Sequence, residues 1–175
     1  MHQSSYERMR VLRDAYLSPG TNLNILDLGA MDVGYGSYRA LFDSPDWSYR
    51  GMDLAPGDNV DIVLSDPYHW EALPDASVDV VVSGQALEHV EFFWKTFEEI
   101  ARVLKPGGLV FMLAPSRGVE HRYPVDCWRF YPDGYAALAK WSGLKLLDVG
   151  AQWEPEGWED GSDQWGDCWG VFEKP

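Results

Sequence analysis

Two hydrophobic rhythms alternate along this chain. Tyr6, Met9, Val11, Leu12, Tyr16 and Leu17 recur at helical spacing, and Ser18, Pro19 and Gly20 end that helix. Asn24–Leu28 mixes polar and aliphatic residues and runs into Gly29, a short strand entering a tight turn. A helical pattern resumes from Ser37 to Phe42. Further strands are expected over Trp47–Met52, Asp61–Leu64, Ser77–Val82, Leu109–Leu113, Leu144–Val149 and Cys168–Phe172. Ser77–Val82 is β-branched almost throughout, as a strand covered on both faces should be. Glu91–Leu104 carries Phe93, Phe97, Ile100, Ala101 and Leu104 on one helical face, and Lys105, Pro106, Gly107 and Gly108 stop it. Pro132 opens a last helix that reaches Trp141. Strands alternating with helices predict an α/β domain with a mostly parallel sheet of about seven strands. Residues 1–175 form one domain: a helix within 1–20, a core over 24–150, and an acidic, Trp-rich connection with a last strand over 151–175.

The chemistry converges on the first turn. Gly29, Gly34 and Gly36 let the backbone approach a ligand closely, and strand, glycine turn and helix form the first half of a nucleotide-binding βαβ unit. Asp53 ends the second strand at about the 20-residue spacing from which a carboxylate reaches ribose hydroxyls. A pyrophosphate would want bare amides and no neighbouring anion, yet Asp27 and Asp32 stand beside this turn. S-adenosylmethionine carries an ammonium and a sulfonium and no phosphate, so the carboxylates favour it. Met31 and Val33 also spoil the dinucleotide fingerprint that an NAD-dependent oxidoreductase would need.

Composition narrows the partners. A formal net charge of −14 repels phosphate backbones, which argues against nucleic acid and anionic membrane surfaces. No apolar run approaches the roughly 20 residues of a membrane span, and a cytoplasmic protein with two reduced thiols, Cys127 and Cys168, is expected. A small neutral or cationic acceptor fits this charge, while Arg117, Arg122 and Arg129 leave room for an anionic group. Nine tryptophans allow a glycan, because aromatic faces stack on sugars. No cluster with metal-ligand spacing is legible, so no metal is assigned, and the oligomeric state is left open.

Three further segments lie where strands end. Asp66, before Pro67, accepts from an adenine amino group or caps the next turn, with Tyr68 and Trp70 as walls. Ser83, Gly84, Gln85, Glu88 and His89 follow a buried strand, and Gln85 and His89 share a face if the segment is helical. Pro115–Tyr131 has no period and exceeds the roughly 12–15 residues of ordinary loops, so it is the expected acceptor pocket. His121 or Asp126 is its candidate base, with His89 as a third; alternatively Asp126 pairs with Arg122 or Arg129 in a structural turn.

The segments LDLGA, GYGSYR, YRGMDL, LSDPYHW, DVVVSGQALEHV and ARVLKPGGLVFMLAP, in this order, resemble the class I S-adenosylmethionine-dependent methyltransferases of the methyltransferase-11 type. The likeness spans about Asn24 to Gly150. It implies a Rossmann-like three-layer sandwich whose last strand is antiparallel. It also implies a cofactor site of Asp27, Gly29, Ala30, Gly34, Gly36, Asp53, Leu54, Asp66, Pro67 and Gln85. The loop after Pro115 resembles one found in glycan-biosynthesis methyltransferases, which points the acceptor towards a sugar hydroxyl. A methyltransferase-like subunit kept only for binding a partner is the other reading.

Overall fold

The period-2 strands sort their side chains onto two cores. In the computed structural model, which describes residues 2–175, Leu26, Val81, Val110 and Met112 join the core on one side of the sheet. Ile25, Val80, Val82, Phe111 and Leu113 join the core on the other. The strands are β1 (Leu23–Leu28), β2 (Trp47–Asp53), β3 (Ile62–Val63), β4 (Val78–Gly84), β5 (Leu104–Pro115), β6 (Lys145–Ala151) and β7 (Asp167–Glu173). They form one sheet in the order β3-β2-β1-β4-β5-β7-β6. All neighbours are parallel up to β5, and β7 runs antiparallel between β5 and β6. The last strand is therefore antiparallel as expected, and it is inserted beside β5 with β6 at the edge.

Helices α2 (Phe93–Val103) and α3 (Pro132–Ser142) cover the first core. Phe97, Ile100 and Val103 are fully buried there, each stabilising the domain by about 1.5–3 kcal/mol. Helix α1 (Gln3–Tyr16) covers the opposite face through Met9 and Leu12. The result is the three-layer α/β sandwich that the sequence pattern and the resemblance predict.

Two elements differ from expectation. Ser37–Phe42 yields only a 3₁₀ turn, Arg39–Phe42. The chain spends residues 31–38 on the loop around Asp32, and Pro45 follows soon after, so no room is left for a full helix. The expected stop at Lys105–Gly108 does end α2, but the backbone is already extended at Leu104, which pairs with Val78. Gly107, at φ +76°, turns the chain there.

The parallel strands β1, β2, β3, β4 and β5 present their carboxyl ends at one rim, where ligands bind in open α/β sheets. Gly29, Asp53, Gln85 and the loop from residue 116 to residue 131 all leave from that rim.

Candidate active site

The turn after β1 is held by backbone geometry. Gly29 sits at φ +74°, and a Cβ on it would overlap the Ala86 side chain, so the β1 and β4 loops touch at a residue only glycine can supply. Its N–H donates to the Met52 carbonyl (2.9 Å), as does that of Ala30 (3.2 Å). The half-buried Asp53 carboxylate accepts from Met31 N (3.0 Å) and Leu54 N (2.7 Å), which ties the β2 end to the turn. Leu54 is exposed beside it.

Asp32 decides what this loop can hold. Its Oδ1 accepts from the amides of Gly34 (2.8 Å), Tyr35 (3.1 Å) and Gly36 (2.9 Å). Converging amides of this kind form a natural anion nest. Here the chain fills its own nest with a carboxylate.

Asp27 lies underneath the turn, 2% exposed, with the Tyr49 hydroxyl donating to it. Burial raises its pKa to about 7 against the lowering effect of that hydrogen bond, and the neighbouring Asp53 adds to the rise. Asp66 is exposed and caps the following turn by accepting from Tyr68 N (2.7 Å), while the Pro67 carbonyl accepts from the Trp70 indole (3.0 Å). Gln85, at φ +59°, directs its amide to Asp167 Oδ1 (2.9 Å). Asp167 is fully buried and also accepts from Ser4 Oγ (2.6 Å), with His2 Nε2 at 3.0 Å. Gly84 is closed in by Tyr38, whose hydroxyl meets that of Ser5 at 2.5 Å.

The acceptor-side candidates meet across the rim. The rings of His89 and His121 lie 4.9 Å apart, and the indole of Trp165 lies 4.5 Å from His121. His89 Nδ1–H donates to the Val125 carbonyl (2.6 Å), which leaves Nε2 as the free nitrogen; burial lowers its pKa. Asp126 is a correction to the candidate bases. Arg129 grips it in a two-pronged ion pair (2.6 and 2.9 Å), and the His121 backbone amide donates to it as well (2.7 Å). The guanidinium holds this carboxyl far below the usual carboxylate range, so it accepts no proton near neutrality. Asp126 positions the loop. Arg122 pairs with Glu120 instead.

Sequence reasoning underrated Glu88, which is fully buried on a 3₁₀ turn beside His89. The available signal was an acid inside the apolar turn that follows β4. Asp167 carried no signal, since only the return of the chain along β7 brings it to Gln85.

A model described as a methyltransferase domain matches residues 26–112, from β1 to β5. A methyltransferase of Mycolicibacterium gilvum is 32% identical over 116 residues, covering 57% of this chain and 44% of that protein. The chain belongs to the class I S-adenosylmethionine-dependent methyltransferases. The 2-methyl-6-phytyl-1,4-hydroquinone methyltransferase of Synechocystis is 29% identical over 136 residues, covering 72% of this chain and 42% of that protein. The chain thus spans less than half the length of the curated relatives it matches. Among solved structures, the 1,6-didemethyltoxoflavin-N1-methyltransferase of Burkholderia thailandensis, with its substrate and S-adenosylhomocysteine bound, superposes with a TM-score of 0.73 at 16% identity. That match covers 98% of this chain and 78% of that one. A Haloferax volcanii methyltransferase in complex with the Trm112 activator gives a TM-score of 0.69 at 21% identity, over 98% and 90% of the two chains. Both share the methyltransferase fold.

For a methyltransferase of this class the ligand in question is S-adenosylmethionine, and the donor set of the turn fits it. Carboxylates at Asp27 and Asp53 suit a cationic, hydroxyl-rich adenosyl compound. The amides that a pyrophosphate would need are already taken by Asp32.

No helix among the described residues is long and apolar enough to cross a membrane.

Proposed function

We propose that this chain transfers a methyl group from S-adenosylmethionine to a hydroxyl of a small-molecule or glycan acceptor. The observation that carries the reading is the Asp32-filled nest: a nucleotide turn whose converging Gly34, Tyr35 and Gly36 amides are already taken by a carboxylate. Asp53 accepts from the ribose hydroxyls, with Leu54 against the adenine. Asp66 and Pro67 border the adenine amino group. Gly29, Ala30, Gly34 and Gly36 let the backbone pass close to the methionine part. Asp27, which burial keeps partly protonated near neutrality, supports the turn from beneath, and Gln85 closes the crevice at β4.

When bound, the cofactor supplies an activated methyl carbon on a sulfur that leaves neutral. The chain must then align an oxygen with that carbon, exclude water and provide for the departing hydroxyl proton. His89 and His121 stand where that proton is released. Asp126 and Arg129 fix the loop that carries His121.

Exposed aromatic faces support a sugar-bearing acceptor. Phe93, Trp128, Arg129, Phe130, Tyr131 and Asp133 line a cleft of about 400 Å³. Tyr131 stacks on Trp153 at 6.1 Å beside it. Two free thiols, Cys127 and Cys168, suit the cytoplasm.

Calorimetry with S-adenosylhomocysteine and with NAD tests the cofactor half of this reading. One-to-one binding of the first and none of the second is expected. Binding of NAD alone overturns it, and binding of neither favours a non-catalytic adaptor. A radiolabelled methyl donor offered with a panel of sugar and phenol acceptors tests the rest; label found only on amines would remove the hydroxyl.

A further inference from the structure

Glu88 is the least satisfied charged side chain of the rim. It is fully buried, and neither carboxylate oxygen finds a hydrogen-bond partner among the described residues. Buried acids are normally hydrogen-bonded or paired, so an orphaned one asks for an explanation. The closest guanidinium chemistry is committed elsewhere: Arg129 donates to Asp126 and to the carbonyls of Arg117, Val119 and Trp128. What does face Glu88 is imidazole. His89 Nε2 lies 3.6 Å from Glu88 Oε1, and a ring nitrogen of His121 completes a set whose ligand atoms all lie within 4.8 Å of one another.

We propose that Glu88, His89 and His121 bind a divalent first-row transition-metal ion. Metal–ligand bonds of about 2.0–2.2 Å place ligand atoms roughly 3–3.5 Å apart. Glu88 and His89, at 3.6 Å, stand just outside that separation, and small rotations of the part-exposed His89 and His121 rings close the remainder. The shell behind His89 is also built, and a carboxylate stands near His121. Val125 O holds His89 Nδ1–H and so fixes the tautomer whose Nε2 is free, and Asp126 Oδ2 lies 3.4 Å from His121 Nδ1. Two imidazoles and one carboxylate suit Zn²⁺, Fe²⁺, Mn²⁺ or Co²⁺ better than Mg²⁺ or Ca²⁺, which prefer all-oxygen shells. Three protein ligands leave coordination positions open, and an acceptor oxygen fits one of them. That use of the ion rests on the methyl-transfer reading; its binding does not.

The test is a titration of the chelator-stripped chain with Co²⁺, followed by visible absorption, and with Zn²⁺, followed by calorimetry. One ion per chain with a ligand-field band is expected, unaffected by excess Mg²⁺. Glu88→Gln and His121→Ala should each weaken it by about 100-fold or more while S-adenosylhomocysteine still binds. Glu88→Gln keeps the shape of an already buried group, and His121→Ala alters a loop, so one variant remains informative if the other misfolds. Absence of one-site binding, or unchanged affinity in either folded variant, overturns the metal site. S-adenosylhomocysteine binding without metal binding would sink this inference alone, and the converse would sink the cofactor assignment alone.

Discussion

Asp27→Asn isolates the electrostatics beneath the glycine turn. Asp27 is buried under β1, with its carboxyl raised from 3.8 to about 7 by loss of water. The folded state therefore holds a proton that the unfolded chain releases, and stability falls as pH rises from the unfolded value through the folded one. A shift of about three units corresponds to about 4 kcal/mol once both states are ionised. Relative to Asp27→Asn, the parent should lose about 2 kcal/mol between pH 5.5 and pH 8, because part of the penalty is already present at the lower pH. Asparagine keeps an acceptor for the Tyr49 hydroxyl, so the comparison removes the charge and leaves the hydrogen bond. Glu88, raised to about 8 by burial, pulls the parent curve in the same direction, but it is common to both proteins and cancels. Denaturant unfolding of the two proteins without ligand, at half-unit pH steps, reads the difference. Parallel curves would refute the reasoning, and so would an asparagine variant that is the less stable at pH 8.

Three other outcomes follow from the same geometry. Gly29→Ala forces a side chain into φ +74° and against Ala86; a loss of about 1–3 kcal/mol and at least tenfold weaker S-adenosylhomocysteine binding are expected, by melting and calorimetry. Asp32→Ala empties the amide nest, so inorganic pyrophosphate should raise the melting temperature of the variant and leave the parent unchanged. Asp126→Asn breaks the ion pair with Arg129 and should cost about 2–4 kcal/mol. Its folded pKa is depressed, so that contribution is present at neutral pH and is lost as pH falls below the usual carboxylate range. Collapse of turnover with unchanged stability would instead restore Asp126 as the base.

What the chain reveals by reading alone is what local period and short spacing encode. β1, β4 and α2 each carry their own burial pattern, and Gly29 and Asp53 end two neighbouring parallel strands, so their meeting at Met31 follows from topology. Ser37–Phe42 misled because its apolar spacing is helical, while the length available was set by the distant needs of Asp32 and Pro45. The candidate base was harder. His121 and Asp126 lie in a loop without period, and whether a carboxylate there takes a proton depends on whether Arg129 reaches it. Arg129 does. Glu88, His89 and His121 were individually visible but come from two segments some thirty residues apart, and no spacing rule joins them.

The acidic connection after β6 shows how a negatively charged chain can still form a defined rim. Asp163 accepts from the amides of Glu156, Gly157 and Trp158, so the segment folds around its own carboxylate much as the glycine turn folds around Asp32. Arg117 anchors it through the carbonyls of Trp153 and Asp163, and Arg8 of α1 pairs with Glu156. These ties hold Trp165 against His121. A connection fixed at that many points is a wall, not a swinging lid. Around this wall and the loop from residue 116 to residue 131, Tyr123, Trp128, Tyr131 and Trp153 expose aromatic faces. Acceptor choice should therefore respond to changes at those four positions, while changes to the carboxylates of the glycine turn should alter cofactor binding instead.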